Sequence, residues 1–334
     1  MSREVSSDLP EDSLALRKRS FLNLALTLLF LILIAIFAIT HTRETREFLA
    51  LLGNADTGWM VLAVFLQIPT YIFTGIVWKL SAEAVNYKLD LKTVSELAVE
   101  QLSVSQLVPS AGLAGNIIVI RAMRRFGLPL PLAIEIFFIE TLSYYLAFLA
   151  VALISIVFLW LHGNITPIIS SLASAFFVIT ALVTLLIWSA ANHKKLRILD
   201  WVRSRKIFSR FFSLFENISS TRVFSPSLLF QTSIFRLGVF VLDAFSLFAI
   251  LEAIGVESNF TTSFVALVIA SMAGTVTLMP GGLGGYEAAS ILILNLFGVP
   301  ITEAIAATAL FRCLTLWLPL IPGIILARKD WGMT

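Results

Sequence analysis

"LMPGGLGGYEAAS", residues 278–290, interrupts one of the longest apolar regions of the chain. One proline and four glycines fall between Pro280 and Gly285, and Glu287 follows two residues later. Proline and glycine both weaken helices, and irregular backbone at membrane depth is tolerated only where it is buried in protein or lines a polar cavity. The stretch therefore predicts a broken helix that faces the protein interior, with a carboxylate at the start of the next helix.

The composition of the chain is that of an integral membrane protein. It has 334 residues, of which 58% are hydrophobic and 13% are charged, whereas soluble domains carry about 25% charged residues. Several stretches reach the roughly 20 apolar residues that span a bilayer. One cysteine, Cys313, and three histidines at segment ends offer neither a disulfide framework nor a Cys/His metal cluster. We therefore expect no metal ion and no cofactor.

Charge sets the predicted topology, because Lys and Arg mark cytoplasmic loops. The predicted full spans are 21–40, 59–80, 130–160, 168–190, 226–251 and 300–327. The first is longer than the apolar core of a usual signal peptide, so we interpret it as a retained span. Basic clusters lie before the first span, after the second span, in 193–225 and after the last span. Together they place both termini in the cytoplasm.

Two further apolar stretches, at about 94–127 and 262–298, are each broken by proline and glycine. A single crossing by either would put the downstream charges on the wrong side, so we predict hairpins that enter and leave on one face. The fold class is then an all-α polytopic membrane protein with six full spans and two re-entrant broken helical hairpins. Eight crossings are the alternative.

The two hairpins resemble each other in sequence. "QLVPSAGLAGNIIVIRAMRRFGLPLP" and "TLMPGGLGGYEAASILILNLFGVPIT" share the order of proline, glycines and a final Phe-Gly-x-Pro. Each predicted repeat consists of a span, a hairpin and a second span. The first repeat covers 59–160, and the second, in inverted orientation, covers 226–327. Both lie within one transmembrane domain covering 1–334. Residues 161–225 connect the repeats through a span and a basic linker, for which we predict an amphipathic helix on the inner leaflet.

Inverted repeats in transporters place the substrate near the midplane, between broken helices. Each helix after a break starts there with unpaired N–H groups, which favour an anion such as a lipid phosphate. The candidate binding residues are Pro109, Gly112, Gly115, Arg121, Pro280, Gly281, Gly282, Gly284, Gly285, Glu287 and Arg312. The alternatives are that the glycines only let helices pack closely and that Glu287 only caps its helix or pairs with Arg312.

Three further ionisable residues fall near the middle of predicted spans: Glu140, Arg236 and Asp243. Such residues are costly in a membrane and mark functional sites. Arg236 and Asp243 are seven residues apart and share a helix face, so we predict that they pair with each other. The hypothesis for all three is charge pairing or proton coupling, and no residue is assigned a catalytic role.

"PGGLGGYEAA", an apolar half-helix, Gly-Val-Pro and "ALFRCLTLWLP" together resemble the lysylphosphatidylglycerol synthase transmembrane region family, which is also described as flippase-like. The residues that match its second-half pattern are Pro280, Gly281, Gly282, Leu283, Gly284, Glu287 and Arg312. The residues that match the first half are Pro109, Gly112, Gly115, Arg121, Gly127 and Glu140. Asn116 and Thr141 stand where the family often has charged residues.

The resemblance implies movement of an anionic phospholipid or lipid-linked head group between the leaflets of a bacterial inner membrane. It also implies lipids as partners, with a synthase or a second copy of the chain as a protein partner, and no nucleic acid. The chain ends at Thr334, so we expect no aminoacyl-transferase domain and no lipid synthesis. Two alternatives stay open: an intramembrane transferase acting on a lipid-linked substrate, and a non-transporting, lipid-binding partner of a synthase.

Overall fold

The apolar runs of the sequence form helices in a computed structural model of the chain. The structure describes residues 53–107, 113–191, 219–277, 279–320, 322–323 and 326. The chain divides into two compact units, Met1–Gly53 and Asn54–Thr334, and every helix named below belongs to the second. The predicted first span, at 21–40, and residues 192–218 of the predicted basic linker lie outside the described residues.

The described part of the chain is helical and contains no β-strand. Its α-helices are, in chain order, α1 Thr57–Ala84, α2 Leu91–Leu107, α3 Leu113–Arg125, α4 Leu130–Leu161, α5 Pro167–Ala191, α6 Ser220–Val223, α7 Pro226–Ala253, α8 Phe260–Thr277, α9 Gly285–Leu296 and α10 Ile301–Arg312. A short 3-10 turn, Pro280–Gly282, separates α8 from α9, and a π-helix, Cys313–Trp317, follows α10. The prediction of an all-α polytopic membrane protein is confirmed.

Five described helices are long and apolar enough to cross a membrane: α1, α4, α5, α7 and α8. The first four coincide with the predicted spans at 59–80, 130–160, 168–190 and 226–251. At about 1.5 Å per residue, the 28 residues of α1 and of α7 exceed the roughly 30 Å hydrocarbon core. Helices of this length cross a bilayer with tilt.

The predicted span at 300–327 is not a continuous α-helix. Helix α10 ends at Arg312, and in the π-helix that follows Leu318 N donates to Cys313 O over 2.8 Å, five residues back. Pro319 offers a physical reason, since a proline removes one helical hydrogen bond and its ring crowds the carbonyl four residues earlier. Single-turn π-helices are frequent at functional sites.

Both predicted hairpins contain two helices that pack against each other, α2 with α3 and α8 with α9. In the second hairpin Gly282 approaches Gly274 and Gly285 approaches Ala273, so α9 runs back along α8. Helix α8 is itself long enough to cross a bilayer, whereas the 12 residues of α9 reach only about 18 Å. Helix α8 is longer than α9 because Gly274 stays helical and the break begins only after Thr277.

Helices α1 and α7 pack along their length and run antiparallel. At one end Asp56 N donates to Ala253 O over 2.8 Å, and farther along Ser246 Oγ donates to Ala63 O over 3.0 Å. These are the first helices of the two predicted repeats, and each has 28 residues. The second and third helices of the repeats have 17 and 18, then 13 and 12 residues. The inverted repeat itself stays a prediction.

Large apolar side chains cover the outside of the described helices. Phe65, Leu186 and Phe230 are each more than 60% exposed, although they lie on helices of spanning length. Soluble monomers rarely expose contiguous apolar surface of this kind, whereas a lipid-facing surface consists of it. The buried pair of Arg236 and Glu140, described below, lies between the helices instead.

An ion pair between a partly exposed arginine and a buried glutamate joins the described end of the basic linker to α4. Glu135 is fully buried, and its carboxylate accepts hydrogen bonds from Arg222 Nε (2.8 Å), Arg222 Nη2 (3.0 Å) and Ser219 N (2.7 Å). The hydrogen bond to Glu135 raises the pKa of Arg222, which keeps this guanidinium charged. The bidentate pair positions α6 directly before the span α7.

Candidate functional site

The turn between α8 and α9 is built from glycines in a left-handed conformation. The φ angles of Gly281, Gly282 and Gly284 are +58°, +69° and +82°. A Cβ atom on Gly282 would lie 2.9 Å from Gly274 Cα, closer than real Cβ atoms approach backbone. The turn therefore requires glycine at 282 for two reasons, the sign of φ and the contact with α8.

We expect Gly282→Ala to destabilise the protein more than Gly284→Ala. Both substitutions impose a positive φ on alanine, which costs about 1–2 kcal/mol. A Cβ on Gly284 meets no described atom within 4 Å, whereas one on Gly282 collides with the backbone of Gly274. Thermal unfolding in detergent measures both variants. Equal melting temperatures would contradict the close packing of the turn on α8.

Glu287 and Arg312 close the turn from the two following helices. Glu287 lies in the first turn of α9, where its Oε2 accepts from Gly284 N over 2.7 Å, as in a capping box. Arg312 ends α10, with its Nε 2.6 Å from Glu287 Oε1, and its Nη2 donates to Gly281 O over 2.6 Å. One carboxylate thus holds both a helix N-terminal amide and a guanidinium.

Tyr286 completes this arrangement. Its ring lies under the Arg312 guanidinium, 4.7 Å from the Cζ atom, and stacks on Phe311. The side chain is 94% buried, and its hydroxyl has no hydrogen-bond partner among the described residues. Buried hydroxyl groups are normally paired, so this unpaired donor is unusual. We call Gly281, Gly284, Tyr286, Glu287 and Arg312 the turn cluster.

The first hairpin reaches the same place. Helix α2 contacts the Pro280–Gly282 turn, and Ser103 Oγ on α2 donates to Pro319 O over 2.9 Å. Gly115 lies in the first turn of α3, and Arg121 is exposed two turns later. Pro109 and Gly112, the residues of the first break itself, lie outside the described residues.

A second group of charges lies between α1, α4 and α7. Arg236 on α7 forms a buried ion pair with Glu140 on α4 and donates to Thr74 Oγ1 over 3.2 Å. Its guanidinium also lies 6.0 Å from the ring of Tyr144. These contacts hold the three helices together inside the protein.

Asp243 makes a different contact from the one that the sequence predicts. Its Oδ1 accepts from Gln67 Nε2 on α1 over 3.1 Å, whereas Arg236 binds Glu140. The predicted pair of Arg236 with Asp243 is therefore wrong. The two residues share a helix face, but that face is wide enough for α4 to reach one and α1 to reach the other.

The sequence analysis did not identify three polar residues that make buried contacts in the structure: Gln67, Glu135 and Tyr286. Gln67 lies inside an otherwise apolar predicted span, which was a usable signal. Glu135 is only six residues after Pro129, near the start of its predicted span, and Tyr286 follows the pattern of an ordinary aromatic core residue. Among the described residues, no group of three or more His, Cys, Asp or Glu side chains could hold a metal ion.

The fold and the site define a multi-pass α-helical membrane protein with an ion-paired, glycine-rich break in one of its hairpins. A family model for the lysylphosphatidylglycerol synthase TM region matches residues 21–323. The chain belongs to that family, which confirms the resemblance carried by its motifs.

Two relatives are examples of the proteins to which this chain is similar. It is 20% identical over 288 residues to a UPF0104 membrane protein of Methanothermobacter thermautotrophicus, covering 80% of this chain and 84% of that protein. It is 30% identical over 79 residues to a phosphatidylglycerol lysyltransferase of Staphylococcus haemolyticus. That match covers 24% of this chain and 9% of the lysyltransferase.

Proposed function

We propose that this protein moves an anionic phospholipid between the two leaflets of a membrane and binds the head-group phosphate at the turn cluster. The observation that carries the proposal is the double contact of Glu287, whose carboxylate is bound by both Arg312 and the Gly284 amide. A helix N-terminus and an arginine are the two groups that proteins use most often to bind phosphate.

A phosphate would take the position of the Glu287 carboxylate. Both anions offer two oxygens, so one phosphate oxygen would pair with the Arg312 guanidinium and another would accept from the Gly284 amide. The Glu287 side chain is 29% exposed, so it has room to rotate away, whereas Arg312 is 12% exposed and keeps its place. In this scheme Glu287 stabilises the empty site and competes with the substrate, and the unpaired Tyr286 hydroxyl donates to the arriving head group.

The lipid should be anionic and glycerol-based. One relative is named for phosphatidylglycerol, which has a single negative charge on its phosphate and is a direct choice of probe. We further propose that the protein acts as a transporter and not as an enzyme, in a bacterial inner membrane, with both termini cytoplasmic. Arg121 and the first hairpin would guide the phosphate from the cytoplasmic side, and a lipid-modifying synthase would be a protein partner.

Lipid translocation in proteoliposomes tests the proposal. We expect fluorescent phosphatidylglycerol to cross at least about tenfold faster than phosphatidylcholine, which corresponds to ~1.4 kcal/mol of differential binding in favour of the anion. Fluorescence that a membrane-impermeant quencher cannot reach reports the inner leaflet over time. Rates equal to those of protein-free liposomes for both lipids would reject translocation and favour a lipid-binding partner of a synthase.

A further inference from the structure

Asp243 is a half-buried carboxylate, more than halfway along α7. Its described hydrogen bond comes from a neutral group, the Gln67 amide on α1, over 3.1 Å. An ionised carboxylate in a low-dielectric interior is costly unless a cation pairs with it. Whether Asp243 can carry a charge therefore depends on whether a neighbouring arginine pairs with it or is already bound to another group.

The nearby arginines are held by other groups. Arg236 lies two turns earlier on α7 and is bound to Glu140 and Thr74. Arg312, at the end of α10, is bound to Glu287 and to the Gly281 carbonyl. Among the described residues, Asp243 has no ion pair of its own.

The other titratable groups around Asp243 are phenols. Tyr71 on α1, Tyr144 on α4 and Tyr286 on α9 lie near enough to Asp243 for its charge to act on their hydroxyls. Helix α8, which also packs on α7, carries no titratable residue, and on α10 the remaining one is Glu303, in its first turn. A neutral phenol cannot offset the negative charge of a carboxylate. A proton taken up from solution can.

We infer that Asp243 is the proton-binding site that couples movement of the anionic lipid to a proton gradient. The inference rests on the proposed function. Tyr286 lies near enough to Asp243 to feel its charge and also belongs to the turn cluster, so the two sites are neighbours. A lipid phosphate brings one negative charge and a proton on Asp243 brings one positive charge, so the loaded protein gains no net charge. The proton binds an aspartate oxygen from one aqueous side and leaves to the other.

Translocation of fluorescent phosphatidylglycerol, measured with and without a pH gradient, tests the inference. We expect the gradient to accelerate the wild-type protein at least about tenfold. Asp243→Asn keeps the shape and a hydrogen bond to Gln67 but binds no proton, so it should move the lipid at one rate under both conditions. Asp243→Glu, which restores the acid, should recover the gradient response and shows that the position tolerates substitution.

Infrared difference spectra supply a second measurement that needs no transport. Acidification of the wild-type protein should produce the carbonyl stretch of a protonated buried carboxyl group, and Asp243→Asn should lack that band. Gradient-sensitive movement by Asp243→Asn would overturn the assignment, as would a wild-type response to a sodium gradient alone. Wild-type movement that ignores every gradient would also overturn it while leaving the translocase function intact, and no movement at all would reject that function first.

Discussion

Replacing Arg312 with alanine should slow the movement of phosphatidylglycerol by about tenfold to a hundredfold, since loss of a charge-assisted contact costs about 1.5–3 kcal/mol and each ~1.4 kcal/mol is tenfold. Arg312 contacts both the glycine turn, through Gly281 O, and the carboxylate that the phosphate would replace. The proteoliposome assay measures the rate. Movement of phosphatidylcholine should change little, because the zwitterion depends less on this cation.

Two controls separate a lost binding group from a lost fold. Arg312→Ala leaves Glu287 without its cation, which by itself destabilises a partly buried site. The double variant Glu287→Gln, Arg312→Gln removes both charges, and we expect it to fold normally and still fail to move the lipid. Arg124→Ala makes the same change in net charge at an exposed position on α3 and should retain the wild-type rate. Wild-type movement by a folded Arg312→Ala protein would show that the phosphate binds elsewhere.

Breaking the pair of Glu140 and Arg236 should have the largest effect on stability. Both side chains are more than 90% buried, and removing one partner of such a pair leaves an uncompensated buried charge, at a cost of about 3–5 kcal/mol. We therefore expect Arg236→Ala to lower the free energy of unfolding by about that amount. Unfolding of the detergent-solubilised protein, followed by circular dichroism against denaturant concentration, measures it.

A double variant and a surface pair provide the comparison. Glu140→Gln with Arg236→Gln removes both charges and should recover much of the lost stability, because neither charge is then left unpaired. Lys79 and Glu83 form an exposed pair 4.0 Å apart on α1, and Glu83→Ala should cost below about 1 kcal/mol. If Arg236→Ala costs no more than Glu83→Ala, the buried pair does not hold α4 and α7 together.

Part of the site was predictable because its signals are local. Positive φ angles at Gly281, Gly282 and Gly284 follow from a glycine-rich break, and Glu287 belongs to the first turn of the helix that the break starts. Arg312 was recognisable as a charge within an apolar segment. The meeting of these residues in one cluster was only a hypothesis. The sequence was equally compatible with glycines that let helices pack closely and with a Glu287 that only caps its helix.

The sequence by itself determined the class of fold and most of the spanning helices, because span length, apolar content and helix breaks are properties of neighbouring residues. The spanning length of α8, which stays helical past Gly274, was not evident from composition alone. Only the tertiary structure decided which charges pair. Glu140 lies 96 residues from Arg236, and Gln67 lies 176 residues from Asp243. Such partners are chosen when helices dock, because a buried charge takes the nearest group that can offset or bind it.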